Sequence, residues 1–224
     1  MVKPEVNADN DKYEFTGEFR EMDGATVWRI RKKKNNKEVD WDDRSWGYGS
    51  EVGGWIETEH NLSTEGSCWV SDDAVVYQKA RVGGSAQIAG ASTVSGNATV
   101  DDWASVYDNA SVGGNASIYG EAEVYGKADV YGTANISGSA KIYNKASISG
   151  GEITDNARVY NEAKVYGKPT IRNSAMVKEN SEVSDNAVVA ERAQVYGASH
   201  IYESAHVSGD AKVYGKAKVF GQAQ

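Results

Sequence analysis

The sequence predicts a single-stranded parallel β-helix, and three columns of residues that repeat every six positions predict it. The first column is β-branched and aliphatic: Val70, Val76, Val82, Ile88, Val94, Val100 and onward to Ile148. Ile153 comes one residue early, and the period then resumes through Val159, Val165 and Ile171 to Val219. That column holds 26 residues, 18 Val and 8 Ile, without exception. A helix turning every 3.6 residues cannot keep such a register on one face, and β-branched side chains favour strand.

The second column lies two residues earlier: Cys68, Ala74, Ala80, Ala86, Ser92, Ala98, Ala104, and Ala or Ser almost throughout, with Gly151 and Pro169 as departures. Positions i and i−2 share one side of a strand, so each hexad turns one large and one small residue inward. The third column, two residues after the aliphatic, reads Gly84, Gly90, Gly96, Asp102, Asp108, Gly114, Gly120. Gly, Asn and Asp tolerate left-handed backbone angles and so mark a corner. Three hexads close a coil of 18 residues, giving eight to nine coils. At roughly 4.8 Å per stacked strand the column is about 40 Å tall. The short step falls in Ser149-Gly150-Gly151-Glu152, where two glycines can absorb a missing residue. A period of five throughout, as a pentapeptide repeat requires, is not present.

Upstream of the coils the pattern changes, and two segments are expected: a cap over 1–67 and coils over 68–224. Tyr13, Phe15 and Phe19 alternate with polar residues, as does Thr26-Val27-Trp28-Arg29-Ile30-Arg31, and Asp23-Gly24 between them is a turn signal. A β-hairpin is predicted there. Trp28, Trp41, Trp46 and Trp55 would cover the open end of the first coil, which otherwise exposes both core and unpaired backbone. The other end has no such cap, and a second subunit is expected to cover it.

Composition bounds the function. The 224 residues carry a net charge of −8 with a pI near 5.0, which argues against a nucleic-acid partner. The 24 glycines beside only two prolines mean regular turns rather than a disordered linker. Met1 to Asp11 is polar, so neither signal peptide nor membrane anchor is expected, and the cytoplasm of a bacterium or an infected host is the expected compartment. One cysteine cannot form an internal disulfide, and Cys68, in the inward small column, should be buried and inert.

The repeat resembles the hexapeptide-repeat family, whose coils follow an aliphatic–Gly–x–x–small–x pattern and wind left-handed; handedness is implied by that resemblance. Gly53-Gly54-Trp55-Ile56-Glu57, Asn61-Leu62-Ser63 and Gly66-Ser67-Cys68-Trp69-Val70 resemble the lead-in of the YdcK-type subgroup, bacterial and phage proteins often described as transferases. The resemblance implies a choice between a coenzyme A-dependent acyltransferase and a non-catalytic scaffold.

Enzymes of the family use a histidine as general base. Only His60, His200 and His206 exist, and the last two sit in successive hexads, hence on different faces. If catalysis occurs, His200 and His206 are the candidates, from opposite sides of a trimer cleft, with acetyl-coenzyme A as donor. No long loop interrupts the coils, and no cofactor or metal spacing is present. The binding candidates are tyrosines one coil apart: Tyr107, Tyr125, Tyr143, Tyr160, then Lys178, then Tyr196 and Tyr214. Such a ladder could hold a small ligand, form a subunit interface, or only stabilise neighbouring strands. Arg31-Lys32-Lys33-Lys34 with Lys37 is followed by Asp40, Asp42 and Asp43, and reads as a solvated hairpin end. The expectation is a scaffold or sequestering protein, a trimer or a C-terminal end-to-end dimer, with a protein or small-molecule partner.

Overall fold

A computed structural model describes residues 4–33 and 51–223. The chain is all-β, a left-handed β-helix-like solenoid with an N-terminal antiparallel hairpin. In the hairpin, β1 (Tyr13–Met22) pairs with β2 (Ala25–Lys32) across Asp23 and Gly24. Both turn residues have positive φ (48° and 81°), the two-residue turn that matches strand twist. β2 pairs antiparallel with β3 (Val52–Ile56), and β3 pairs in parallel with β5 (Val75–Val76). Between these last two comes β4 (Trp69–Val70), on another side of the coil.

The hairpin therefore continues one sheet of the solenoid. With β3, the bridge from Leu62 to Val82, and β4, residues 52–70 already make the first coil. The segment 1–67 thus supplies the hairpin and two sides of that coil. Tyr13, Phe15, Trp28 and Ile30 join the core beneath it, with Trp69 edge-on to Tyr13 at 6.5 Å. The register shifts between Phe15 and Phe19, around Gly17 (φ 99°), and Phe19 emerges half-exposed against Trp28. Trp55 is covered from outside by the guanidinium groups of Arg20 and Arg29, 4.5 and 5.0 Å from its ring. Trp41 and Trp46 lie outside the described residues, as do Lys34, Lys37, Asp40, Asp42 and Asp43.

From β4 onward every hexad contributes a two-residue strand ending in its Val or Ile. The strands stack into three parallel sheets, here the A face (β3, β5 and onward to Lys218–Val219), the B face (Arg81–Val82 to His206–Val207) and the C face (β4 to Lys212–Val213). Pairing is in register, with like positions directly above one another, as in Val106↔Val124 and Val124↔Ile142. The aliphatic column from Val70 to Ile201 is buried throughout, alternating with alanines of no more than 1 % exposure. Ser92, Ser181 and Ser199 replace alanine without leaving a buried hydroxyl unpaired, because each donates to a carbonyl three residues back at 2.7–2.9 Å. The short step costs no register: Ile136 faces Ile153, and Gly151 turns the shortened corner at φ 86°. A Cβ on Gly132, one coil earlier, would lie 2.1 Å from the Ser149 carbonyl oxygen.

The corners are less dependent on Gly, Asn and Asp than the sequence suggests. Gln78, Glu179, Glu191 and Glu203 also take left-handed angles, φ 58–62°. The physical reason is a clamp. The corner N–H is out of the strand ladder, and the corner side chain of the preceding coil accepts from it. Gly96 N–H donates to Gln78 Oε1 (2.7 Å), Gly126 N–H to Asp108 Oδ2 (3.1 Å), Gly197 N–H to Glu179 Oε2 (2.9 Å) and Gly221 N–H to Glu203 Oε2 (2.8 Å). A long acceptor reaches that N–H as well as a short one.

No helix among the described residues is long and apolar enough to cross a membrane.

Candidate functional site

The residue after each inward aliphatic points outward, and in-register pairing puts these residues in vertical rows. On the C face the row contains Tyr107, Tyr125, Tyr143 and Tyr160, whose rings stack at 4.8, 5.0 and 4.7 Å with interplanar angles of 3°. The backbone sets this spacing, since strands repeat about every 4.8 Å. Lys178 interrupts the row and lays its Nζ 5.1 Å from the Tyr196 ring; Tyr196 then stacks on Tyr214 at 5.5 Å. All six sequence-predicted tyrosines thus lie on one face, in two groups.

Three of the phenols, those of Tyr107, Tyr125 and Tyr143, hold their protons more tightly than free tyrosine. Burial raises Tyr107 well above its ordinary value, and Glu123, which accepts from its hydroxyl at 3.0 Å, raises it further. Burial likewise raises Tyr125 and Tyr143. Glu123 also pairs with Lys141 at 2.7 Å. The face therefore offers aromatic edges, hydroxyl groups and a flanking row of polar side chains.

The histidines do not converge. His200 is on the A face and His206 in the next hexad on the B face. His60, in a short 3-10 turn (Glu59–Asn61), is exposed near the first coil. His200 has company that spacing alone did not reveal: its Nε2 lies 3.0 Å from Ser184 Oγ and 3.4 Å from the Tyr166 hydroxyl, which donates to Glu182 at 3.2 Å. The signal was present in the repeat, because Tyr166, Ser184 and Tyr202 follow successive A-face aliphatics. Reading the row coil by coil would have found it.

Cys68 is buried, and Lys12, also buried, donates to its Sγ at 3.1 Å and to the carbonyl oxygens of Ser63 and Glu65. Burial pushes the thiol up, partly opposed by Lys12, and burial pushes Lys12 down. The pair ties the N-terminal segment to the first coil and offers no accessible nucleophile. Lys12 carries no sequence signal, since it stands in a polar stretch with no period. In the basic run, Arg31 pairs with Glu14 at 2.6 Å and Lys33 bonds the Asn10 carbonyl, which leaves these two engaged within the cap. Among the described residues no group of three or more His, Cys, Asp or Glu could hold a metal ion.

No protein-family model matches the chain, and no curated protein matches it.

Proposed function

We propose that this protein is a rigid, non-catalytic binding scaffold that self-associates and uses its C face for recognition. The observation that carries the reading is the tyrosine row, parallel and in register on a flat face that no loop among the described residues crosses. A surface fixed by a packed core is pre-organised, so little side-chain entropy is lost when a partner binds. Tyrosine suits this role because it supplies a large apolar area with a polar tip. Self-association belongs to the same reading. Beyond Val207 the repeat's inward residues lose their cover, with Val213 and Val219 half-buried and Ala211 and Ala217 exposed, a surface that a further coil or a second copy would equally bury.

The periodic columns support membership of the hexapeptide-repeat family, and the Gly53–Glu57 lead-in supports the YdcK-type subgroup. On that footing a phage-type protein that sequesters a host factor in the cytoplasm is a specific form of the proposal. A second reading, an acyltransferase with acetyl-coenzyme A held between subunits, draws support from the contact between His200 and Ser184. Native mass spectrometry with and without acetyl-coenzyme A separates the two. The scaffold reading expects an oligomer that gains no coenzyme A mass, and a double variant Tyr125→Ser/Tyr143→Ser that folds but loses its partner in pull-downs. A trimer that gains coenzyme A and transfers acetyl groups, with the transfer lost in His200→Ala, would replace it.

A further inference from the structure

We propose that the corner between the B and C faces, along the last four strands of the C face, docks an extended acidic segment of a partner protein. This rests on the C face being the recognition surface and names the chemistry of its partner. Two outward rows line a groove of about 590 Å³ there. Arg158, Met176, Gln194 and Lys212 form the C-face wall, and Asn156, Ser174, Arg192 and Asp210 form the wall on the corner. Between the walls Ala157, Ala175 and Ala193 turn inward and are buried, so backbone makes the floor. In a chain of net charge −8, this groove sets three cations against one acid. Arg158 and Lys212 have no ion-pair partner among the described residues. Arg192 pairs with Asp210 at 2.7 Å, but the two side chains are 74 % and 71 % exposed, and a pair so placed is held weakly enough for another carboxylate to compete. The acids of the adjoining corner reach the next coil instead: Asp155 Oδ2 accepts from the Asn173 N–H at 2.9 Å, and Glu191 extends toward Gly209.

Two other grooves lack this balance. At the corner between the C and A faces Lys127 and Lys145 stand against Glu162 and Glu179, and beside the first coil His60 and Arg81 stand against Asp9, Glu59, Glu65 and Asp101. Clustered cations raise the local concentration of an anionic partner even where the net charge is negative. Their spacing selects an extended chain. Strands stack about 4.8 Å apart, so Lys212 stands about 14 Å beyond Arg158 on the same wall, and Arg192 about 10 Å beyond it on the opposite wall. An extended segment rises about 3.3 Å per residue and alternates sides. Its fifth residue therefore lies about 13 Å from its first on the same side, and its fourth about 10 Å away on the other side. Acids at the first, fourth and fifth positions meet Arg158, Lys212 and, between them, Arg192. The floor's N–H groups are engaged in the ladder, Arg158 N–H with the Ala175 carbonyl and Met176 N–H with that of Ala193, both at 2.9 Å. Bonds to the segment's backbone therefore fall to Asn156, Ser174 and Gln194, with Met176 as an adaptable apolar contact. One small anion would leave most of this array unmet, and a nucleic acid would find no aromatic side chain in the lining on which to stack.

The test is fluorescence anisotropy of the full chain at low salt with labelled peptides. The probes are Glu-Ser-Ser-Glu-Glu and its reverse Glu-Glu-Ser-Ser-Glu, for the two directions along the groove, and Ser-Glu-Glu-Glu-Ser as a control of equal composition. One spaced peptide should bind with Kd below about 1 mM and at least roughly threefold tighter than the control, and rising salt should weaken it. Arg158→Ala and Lys212→Ala should each weaken it by roughly threefold or more, and Lys218→Ala on the A face should change nothing. Asp210→Asn, which frees Arg192, should tighten it by roughly twofold or more, a gain that damage to the fold does not produce. Absence of binding by both spaced peptides, a control or inorganic triphosphate that binds as tightly, or an Asp210→Asn variant no tighter than the parent would overturn the proposal. Partner pull-down with Tyr125→Ser/Tyr143→Ser is run beside it. Failure of peptide binding with that dependence intact removes this partner chemistry alone, whereas loss of the dependence removes the scaffold reading itself.

Discussion

Replacing Asp108 isolates the corner clamp. Asp108 sits at φ 61° and its Oδ2 accepts from the Gly126 N–H of the next coil at 3.1 Å, while that N–H lies outside the strand ladder. Two terms are separable. The left-handed angle costs an ordinary L-residue about 1–2 kcal/mol, a cost that Asp partly offsets through its local hydrogen bonding. A partly exposed hydrogen bond contributes about 0.5–1.5 kcal/mol. Asp108→Asn keeps an acceptor and tolerates the angle, so stability should change by less than about 0.5 kcal/mol. Asp108→Gly keeps the angle and loses the bond, and should cost about 1 kcal/mol. Asp108→Ala loses both and should cost about 1–2 kcal/mol. Urea midpoints at constant m-value measure the order, and the hydrogen-exchange rate of the Gly126 amide reports the bond directly. An Asn variant as unstable as the Ala variant, or a Gly126 amide equally protected in all three, would refute the clamp.

Other perturbations probe neighbouring features. Gly132→Ala and Gly215→Ala place the same group at nearly the same φ (66° and 68°), but the first Cβ meets the Ser149 carbonyl oxygen at 2.1 Å and the second meets nothing within 4 Å. The Gly132 change should therefore lower the thermal midpoint clearly more than the Gly215 change, and equal shifts would mean that φ alone sets the cost. Ile142→Ala removes a fully buried side chain and should cost about 2–5 kcal/mol. Because coils contact only their neighbours, hydrogen exchange should quicken most in the coils around it, and a uniform change along the chain would contradict that locality. The tyrosine row predicts an alkaline limit. A phenol whose folded pKa is raised holds its proton more tightly in the folded state, so its contribution is complete below pH 10, the ordinary value, and is lost as pH rises through the raised one. Absorbance titration near 295 nm should show tyrosines ionising later than free tyrosine, and Tyr107→Phe should remove part of the late phase.

The solenoid was legible in the sequence because a period of six leaves one answer. A Val or Ile with a small residue two places earlier must face inward, and in-register stacking then turns each outward position into a row. The rows that carry the candidate site follow from the same arithmetic. Tyr107, Tyr125, Tyr143 and Tyr160 lie one coil apart in sequence and stack in space. Two kinds of feature were not legible. Some depend on partners far apart in the chain and without period. The Lys12 ammonium against Cys68 is one, and the run of β3 into the A face, which starts the coils upstream of Cys68, is another. Others depend on side-chain reach, which composition does not record. Glutamates at left-handed corners look unfavourable until the N–H of the next coil is seen within 3 Å of Glu179 and Glu203. The pattern of side chains determined which residues are inside and which share a row, because burial and strand period act on every hexad alike. Tertiary structure alone decided how the cap meets the first coil, what clamps each corner and which charges surround the tyrosines, because those depend on distances between residues that the chain brings together only when it is wound.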